Sequence, residues 1–491
     1  MIAPALKSYK NLVILLIVFG IIYGLISLVN HYNFRTYALD LGLVNHAIYD
    51  YAHFRVNYST LLVDAAPMNF LGSHFTLLPV LFSPLYWLLG SYTLLVVQIA
   101  AVLFGGVGIY AYCRHRSTGL TIPLLITAQF FFMWGIYSAL AFDYHDNMVG
   151  AMFLPWFFHY FDQKKYWLAT VFFGLLVISK ENMALWGVFI AVACLGKYFS
   201  DKSARKVALS LAIFTLFYFM MVTSVIMPQL NTTHHQFAQL IRYQHLGNSF
   251  GSIIQYLWEH PGVIFSHLFL NTTGNPKFNY IKAELYGMIL LSGGISFFFR
   301  PWYLFLLLPI FAQKLLTHDF TLWGINYQYS IEFAPVLALA TFEASTKFTS
   351  VFQKRYLVAF LVLTLAATSV TLVKRKSKWF IKPMVQFQRR MHYRSLFDRE
   401  KLHAMLQLIP GQVPVSASSC LTPRLVEREK LYHFPVIRDA AYIALVKTTE
   451  EGTYPLSPVA YNQKIIQLRQ NLNFKIIYED EQAILFQKRK M

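Results

Sequence analysis

The chain has 491 residues, of which 56% are hydrophobic and 13% charged. That charge share is about half that of an ordinary soluble domain, and it excludes a disordered chain, a collagen-like repeat and a disulfide scaffold. Lys and Arg outnumber Asp and Glu by 42 to 23. Many apolar runs approach the ~20 residues that cross a bilayer, so the excess reads as basic residues pinning inner loops and meeting anionic headgroups, not as nucleic-acid binding. Cys113, Cys194 and Cys420 lie far apart and fit no metal spacing.

The first apolar run covers 11–29, behind Lys7 and Lys10. It is longer than a signal-peptide core and has no small-residue cleavage site, so it reads as a retained first helix. Further spans are expected at 92–112, 120–140, 147–161, 166–179, 183–199, 207–228, 284–299, 301–316, 329–345 and 355–373, about eleven in all. With the N-terminus inside, the short inner loops carry fourteen basic residues: Lys7, Lys10, Arg114, Arg116, Lys164, Lys165, Lys197, Lys202, Arg205, Lys206, Arg300, Lys347, Lys354 and Arg355. The much longer outer segments up to residue 373 hold seven: Arg35, Arg55, Lys180, Arg242, Lys277, Lys282 and Lys314. This asymmetry favours an N-in orientation in the cytoplasmic (inner) membrane, with the C-terminus outside. The basic run Lys374-Arg375-Lys376-Ser377-Lys378 disagrees, because it lies just beyond the last span on the outer side.

The expected fold is mainly α: a polytopic helical unit over 1–373, with outer loops at 31–91 and 229–283, and a small soluble α/β domain over 374–491. Within the first loop, 39–53 reads as a helix. The stretch 75–89 contains Pro79 and Pro84 and reads as an interfacial or re-entrant segment. In the last 118 residues, 413–417 and 442–446 read as buried strands, 456–472 as a helix, and 474–478 with 483–487 as a hairpin.

Acids are scarce, and a carboxylate at a membrane edge is expensive unless paired, solvated or used. Asp40, in Tyr37-Ala38-Leu39-Asp40-Leu41-Gly42, reads either as the N-cap of the next helix or as a catalytic or binding group. Asp50 and Asp64 read as solvated loop residues. In Phe142-Asp143-Tyr144-His145-Asp146-Asn147, the groups Asp143, His145 and Asp146 are of the type that ligates Mg²⁺ or Mn²⁺; the bland alternative is a polar helix-capping loop. His74 starts the interfacial stretch and is either structural or part of the same site. In Ser179-Lys180-Glu181-Asn182, Lys180 and Glu181 suit a phosphate and a metal or acceptor, or form a charged pair at a helix end. Tyr327, Gln328 and Tyr329 suit a lipid-phosphate or sugar pocket, or an aromatic belt. The charge-derived orientation puts all four spots on one membrane face.

Taken in order, Tyr37-Ala38-Leu39-Asp40-Leu41-Gly42, His74-Phe75, Phe142-Asp143-Tyr144-His145, Lys180-Glu181-Asn182 and Tyr327-Gln328-Tyr329 resemble the motifs of a large family of polytopic prokaryotic membrane proteins. That family is similar to GT-C-type glycosyltransferases, which use polyprenyl-phosphate-linked sugars. The likeness runs from about residue 35 to 345 and extends weakly through Val415-Ser416-Ala417-Ser418 and Tyr432-His433-Phe434-Pro435. It implies that Asp40 occupies the position of the catalytic carboxylate. It also implies a polyprenyl-phosphate sugar donor and a glycan, lipid or protein acceptor of the cell envelope. The family usually has Asp where this chain has Asn182, and Pro where it has Asp146. The expected function is therefore membrane glycosyl transfer, with Lys180, Arg35 or Arg55 or a divalent cation answering the phosphate charge. A transporter or flippase is the second class. It is disfavoured because transporter ionisable groups lie near the bilayer midplane, whereas these acids cluster at span ends. A non-catalytic envelope-assembly protein is the third.

Overall fold

The computed structural model describes residues 2–62, 67–231, 238–377, 381–447 and 452–489. Asp64 and Lys378 lie outside the described residues. The chain is mainly helical, and each expected span falls on helix. Among the described residues, four helical stretches are long and apolar enough to cross a bilayer: Tyr9–Tyr32, Leu78–Arg116, Lys202–Leu230 and Ser350–Val373. Thr121–Phe131 and Trp134–Leu140 make a fifth if taken as one span bent by 44°. Tyr166–Val177, Pro301–Leu315 and Phe333–Ser345 are apolar but shorter. The 147–161 run is split into Asp146–Ala151 and Leu154–Asp162. The breaks are invisible to a hydropathy window because the residues in them, such as Phe132, Met133, Met152 and Phe153, are as apolar as the helices they interrupt.

Close helix contacts rest on small residues, as is usual where apolar lipid supplies no drive for helices to associate. A Cβ on Gly150 would fall 2.0 Å from Ser179 Oγ, so the helix Asp146–Ala151 lies directly on the turn that carries Lys180. A Cβ on Gly135 would fall 2.5 Å from the Ser330 carbonyl oxygen, which brings Trp134–Leu140 against the segment carrying Tyr327.

The helix Thr93–Arg116 is ~36 Å long at 1.5 Å per residue, and its two ends have different chemistry. Near its start, His31 stacks edge-on against Tyr92. At its far end, Glu343 is the hub of an ion cluster: it meets Lys197, Arg116 at 3.2 Å and Arg300 at 3.8 Å, and Arg116 also pairs with Asp162. Tyr112 and Tyr303 donate hydrogen bonds to the same carboxylate. Helix ends assigned by charge alone to one side of the membrane thus converge on a single buried anion.

The stretch after His74 is a broken helical run, Leu78–Phe82, Ser83–Leu85 and Tyr86–Leu89, with Trp87 and Leu88 exposed. The second long loop contains the helices Phe250–Glu259 and Pro261–Phe269, and Ile254, Trp258 and Phe265 are exposed.

Beyond residue 381 the chain builds a five-stranded sheet in the order Leu431–His433, Val415–Ala417, Tyr442–Val446, Ala483–Lys488, Phe474–Glu479. The first three strands are parallel and the last two antiparallel to their neighbours. Val415–Ala417 and Tyr442–Val446 are wholly buried, as short continuous apolar strands should be. Leu431–His433 was not expected; at three residues it is too short for periodicity to reveal. The helix Pro458–Gln470 starts on Ser457, whose hydroxyl accepts the Ala460 N–H, with proline in its first turn. This region packs on the same end of the bundle as Asp40. Arg424 donates to the His31 carbonyl, Ser419 Oγ accepts the Ala38 N–H at 3.2 Å, and Thr60 donates to the Leu431 carbonyl at 2.5 Å.

Candidate active site

Asp40 sits in a single wide helical turn, Ala38–Gly42, entered from an extended Tyr37. It is not an N-cap. Asp143 does that work from a distant loop: its Oδ2 accepts the N–H groups of Tyr37 at 2.8 Å and Leu41 at 3.1 Å. Asp143 holds this position with a left-handed φ of 45°, and its own carbonyl accepts Gln98 Nε2 at 2.8 Å. The turn is also clamped from below, because Gly42 packs against Thr422 and Pro423.

With its cap role taken, the half-buried Asp40 carboxylate makes no hydrogen bond among the described residues. Burial pushes its pKa up to about 6, and the Lys180 ammonium opposes that rise. Burial, and then the charge of Asp40, raise Asp143 well above the usual carboxylate range. Lys180 stands at the start of Glu181–Lys197 with an extended backbone. Its charge acts on Asp40, His74, His145 and Asp146 together, making it the common cation of the site.

Around this pair the other motif residues have distinct partners. Glu181 accepts from the Phe75 N–H at 3.1 Å and pairs with His74 Nδ1 at 3.3 Å, tying the interfacial stretch to the Lys180 turn. Tyr144 donates to Asp146 at 2.9 Å, and Asn147 to Glu332 at 2.9 Å. His145 stacks on Phe142, with no hydrogen bond to its Nε2 among the described residues. Asp143, His145 and Asp146 do not bring their ligand atoms together: among the described residues, the group that does is a histidine cluster elsewhere. Tyr327 has a left-handed φ of 58°, and its ring lies 4.3 Å from that of Phe142. Gln328 is buried, and Tyr329 meets Arg242.

The chain belongs to the DUF2079 family of predicted membrane proteins. The family model matches residues 30–453. Among solved structures, the chain is similar to ArnT from Cupriavidus metallidurans, whose crystal structure was determined bound to undecaprenyl phosphate. The TM-score is 0.52 at 10% identity, covering 96% of this chain and 97% of that one. The two share a fold. Comparison with curated proteins returns no match.

Several expectations for this family member need correction. Asp50 is not solvated: it is buried, paired with Arg55 at 2.8 Å and bonded to Asn57 at 2.8 Å. Arg55 is thereby engaged by a carboxylate. Arg35 is spent on the C-terminal region, donating to the carbonyls of His392 at 2.8 Å and Pro383 at 3.2 Å. Of the three cations considered for a phosphate, Lys180 is the one beside Asp40. Two further cations were not singled out. Arg242, from the second long loop, bonds Tyr329, and its charge is felt at His74. Arg375, from the basic run that disagreed with the charge rule, donates to Asn326 at 2.9 Å and lines a cleft with Phe142 and Tyr327. Its neighbour Lys376 gives its backbone N–H to Glu284 at 3.0 Å. The run is thus bonded into the bundle end that carries Asp40, which a count of free charges could not register.

Proposed function

We propose that the protein transfers a sugar from a polyprenyl-phosphate-linked donor to an envelope acceptor at the outer face of the cytoplasmic membrane. The observation that carries this is a half-buried carboxylate, Asp40, that makes no hydrogen bond among the described residues and lies within electrostatic reach of the Lys180 ammonium at one end of a GT-C fold. That the structurally similar ArnT was solved with undecaprenyl phosphate supports a lipid phosphate as the partner of that ammonium.

In this mechanism Asp40 accepts the proton of the acceptor hydroxyl as its oxygen attacks the anomeric carbon. A base with a pKa near the working pH is ionised yet still basic enough to help. The glycosidic bond to phosphate breaks, and the departing phosphate is stabilised by Lys180, with Arg242 at the rim. Tyr327, Gln328 and Tyr329 line the sugar or headgroup pocket, and His74 with Glu181 holds the interfacial stretch beside it. The lipid chain runs along the exposed apolar face of Trp87 and Leu88. The topology that goes with this is eleven crossings, N-terminus inside, with residues 374–491 outside. Reporter fusions at Lys10 and after Arg489 test the topology, and finding both ends on one side overturns it.

The deciding experiment reconstitutes the purified chain in liposomes with radiolabelled polyprenyl-phosphate sugars and an envelope extract. Transfer to a lipid or glycan product supports the proposal. Donor movement across the bilayer without transfer overturns it in favour of a flippase.

A further inference from the structure

The second long loop contributes a group of side chains that the transfer chemistry does not use. His245 follows the short helical turn Ala238–Tyr243, His267 is buried on Pro261–Phe269, and His318 lies in the link after Pro301–Leu315. The Nε2 atoms of His245 and His267 are 3.1 Å apart. The rings of His245 and His318 are centred 3.8 Å apart. One ring nitrogen from each of the three lies within 4.8 Å of the others.

The remaining ring nitrogens are already engaged. His267 Nδ1 donates to the Val263 carbonyl at 3.0 Å, which leaves its Nε2 as a bare lone pair aimed at His245. His318 Nδ1 bonds Thr272 Oγ1 at 3.1 Å, and the His245 ring bonds the Leu316 carbonyl. Metal-ligating histidines have this outer support: one nitrogen fixed by a carbonyl or hydroxyl, the other presented to the ion. Nitrogen ligands ~2.0–2.1 Å from a tetrahedral zinc are about 3.3 Å from one another. The His245–His267 pair already has nearly that spacing, and the exposed His318 has room to close on it.

We propose that His245, His267 and His318 form a binding site for a divalent transition-metal ion of the zinc class, with its fourth position open to solvent. Three imidazoles without a carboxylate favour zinc, nickel or copper over magnesium or calcium. The three ligands come from segments far apart in sequence, so the ion would clamp the second loop onto the link that leads to Tyr327. Two contacts beside the cluster already run the same way: Tyr243 donates to the Gln313 carbonyl at 2.8 Å, and Thr317 to the Arg242 carbonyl at 3.2 Å. The clamp would hold Arg242 where it meets Tyr329. Lys282 donates to the His267 carbonyl, which fixes the backbone that carries this ring.

The test uses the full chain in detergent, stripped with a chelator and titrated with Zn²⁺ alone. Bound metal is counted by mass spectrometry after desalting. One zinc per chain is expected. His245→Ala, His267→Gln and His318→Ala should each weaken binding by about tenfold or more, while His145→Ala leaves it unchanged. His245 and His318 are exposed, so their truncation does not threaten folding, and size-exclusion profiles verify this. Co²⁺ loading should give the visible absorption of a four-coordinate nitrogen site, lost in His318→Ala. No stoichiometric zinc in the parent chain, or full affinity in the His318→Ala variant, overturns the proposal.

Discussion

Asp143 holds the turn that carries Asp40, two acids 103 positions apart in the sequence. One carboxylate oxygen of Asp143 takes both the Tyr37 and Leu41 N–H groups, so the backbone on either side of Asp40 is pinned by the other acid. The two carboxylates therefore differ: Asp143 positions backbone, and Asp40 makes no hydrogen bond among the described residues.

Removal of the positioning acid should be felt first in stability. Asp143→Ala leaves two N–H groups beside a buried turn without their acceptor, and each such group costs about 1–3 kcal/mol. Asp143→Asn keeps one acceptor oxygen and should retain most of the stability. Thermal melting of the two variants in detergent separates them; equal melting temperatures would show that the turn does not depend on Asp143.

If Asp40 is the base proposed above, it should behave in the opposite way. Because Tyr37 and Leu41 are bonded by Asp143, Asp40 contributes no cap, and Asp40→Asn and Asp40→Ala should both fold. Turnover should fall by roughly 10²–10⁴-fold in each, the usual contribution of a positioned base. Full transfer by Asp40→Asn would remove Asp40 from the chemistry.

The pH dependence follows from the shift of Asp40 to about 6. A base works ionised, so transfer should rise with pH through about 6 and level off above it. Lys180 lowers that value, so Lys180→Met should move the rise to higher pH as well as reducing the rate. The stability sign is the reverse. Folding raises the Asp40 pKa, so the folded chain holds that proton more tightly; the contribution favours the folded state at low pH and is lost as pH rises through about 6. Asp40→Asn should flatten that part of the melting profile, and an unchanged pH profile in the Lys180→Met variant would deny the coupling.

At the other end of the bundle, Glu343→Gln should be among the most damaging single changes outside the site. It leaves Lys197 buried, and Arg116 and Arg300 nearby, without their shared anion. Breaking a buried ionic group by removing one partner costs about 3–5 kcal/mol. Accelerated thermal inactivation checks this, and Glu343→Gln with parental stability would reduce the cluster to a surface feature.

Much of this was legible in the chain because the physics is local. Apolar runs mark helices wherever they lie, and 442–446 or 474–487 reveal strands by composition and turn chemistry alone. Asp40, His74, His145 and Asp146 all lie within reach of the Lys180 charge. What was not legible depends on partners distant in sequence. Asp40 looks like a cap because Asp143 is out of view. Asp50 looks solvated because burial of its turn is a tertiary event. Arg35 looks available until the His392 carbonyl is known to claim it. The three histidines at 245, 267 and 318 are separated by 22 and 51 residues, with none of the short spacings by which metal sites are recognised.

The contact between Ala38 and Ser419 has a consequence for biosynthesis. A membrane chain is made and inserted from its N-terminus, so Asp40 emerges hundreds of residues before Ser419 and Arg424 exist. Until those residues are translated, folded and docked, the Ala38 N–H lacks the Ser419 hydroxyl, and the His31 carbonyl has the Phe34 N–H but not the Arg424 guanidinium. The turn bearing Asp40 is thus completed by a residue made 381 positions after Ala38. An unfinished chain already threaded into the bilayer holds Asp40, yet lacks the Ser419 hydroxyl that braces the turn around it.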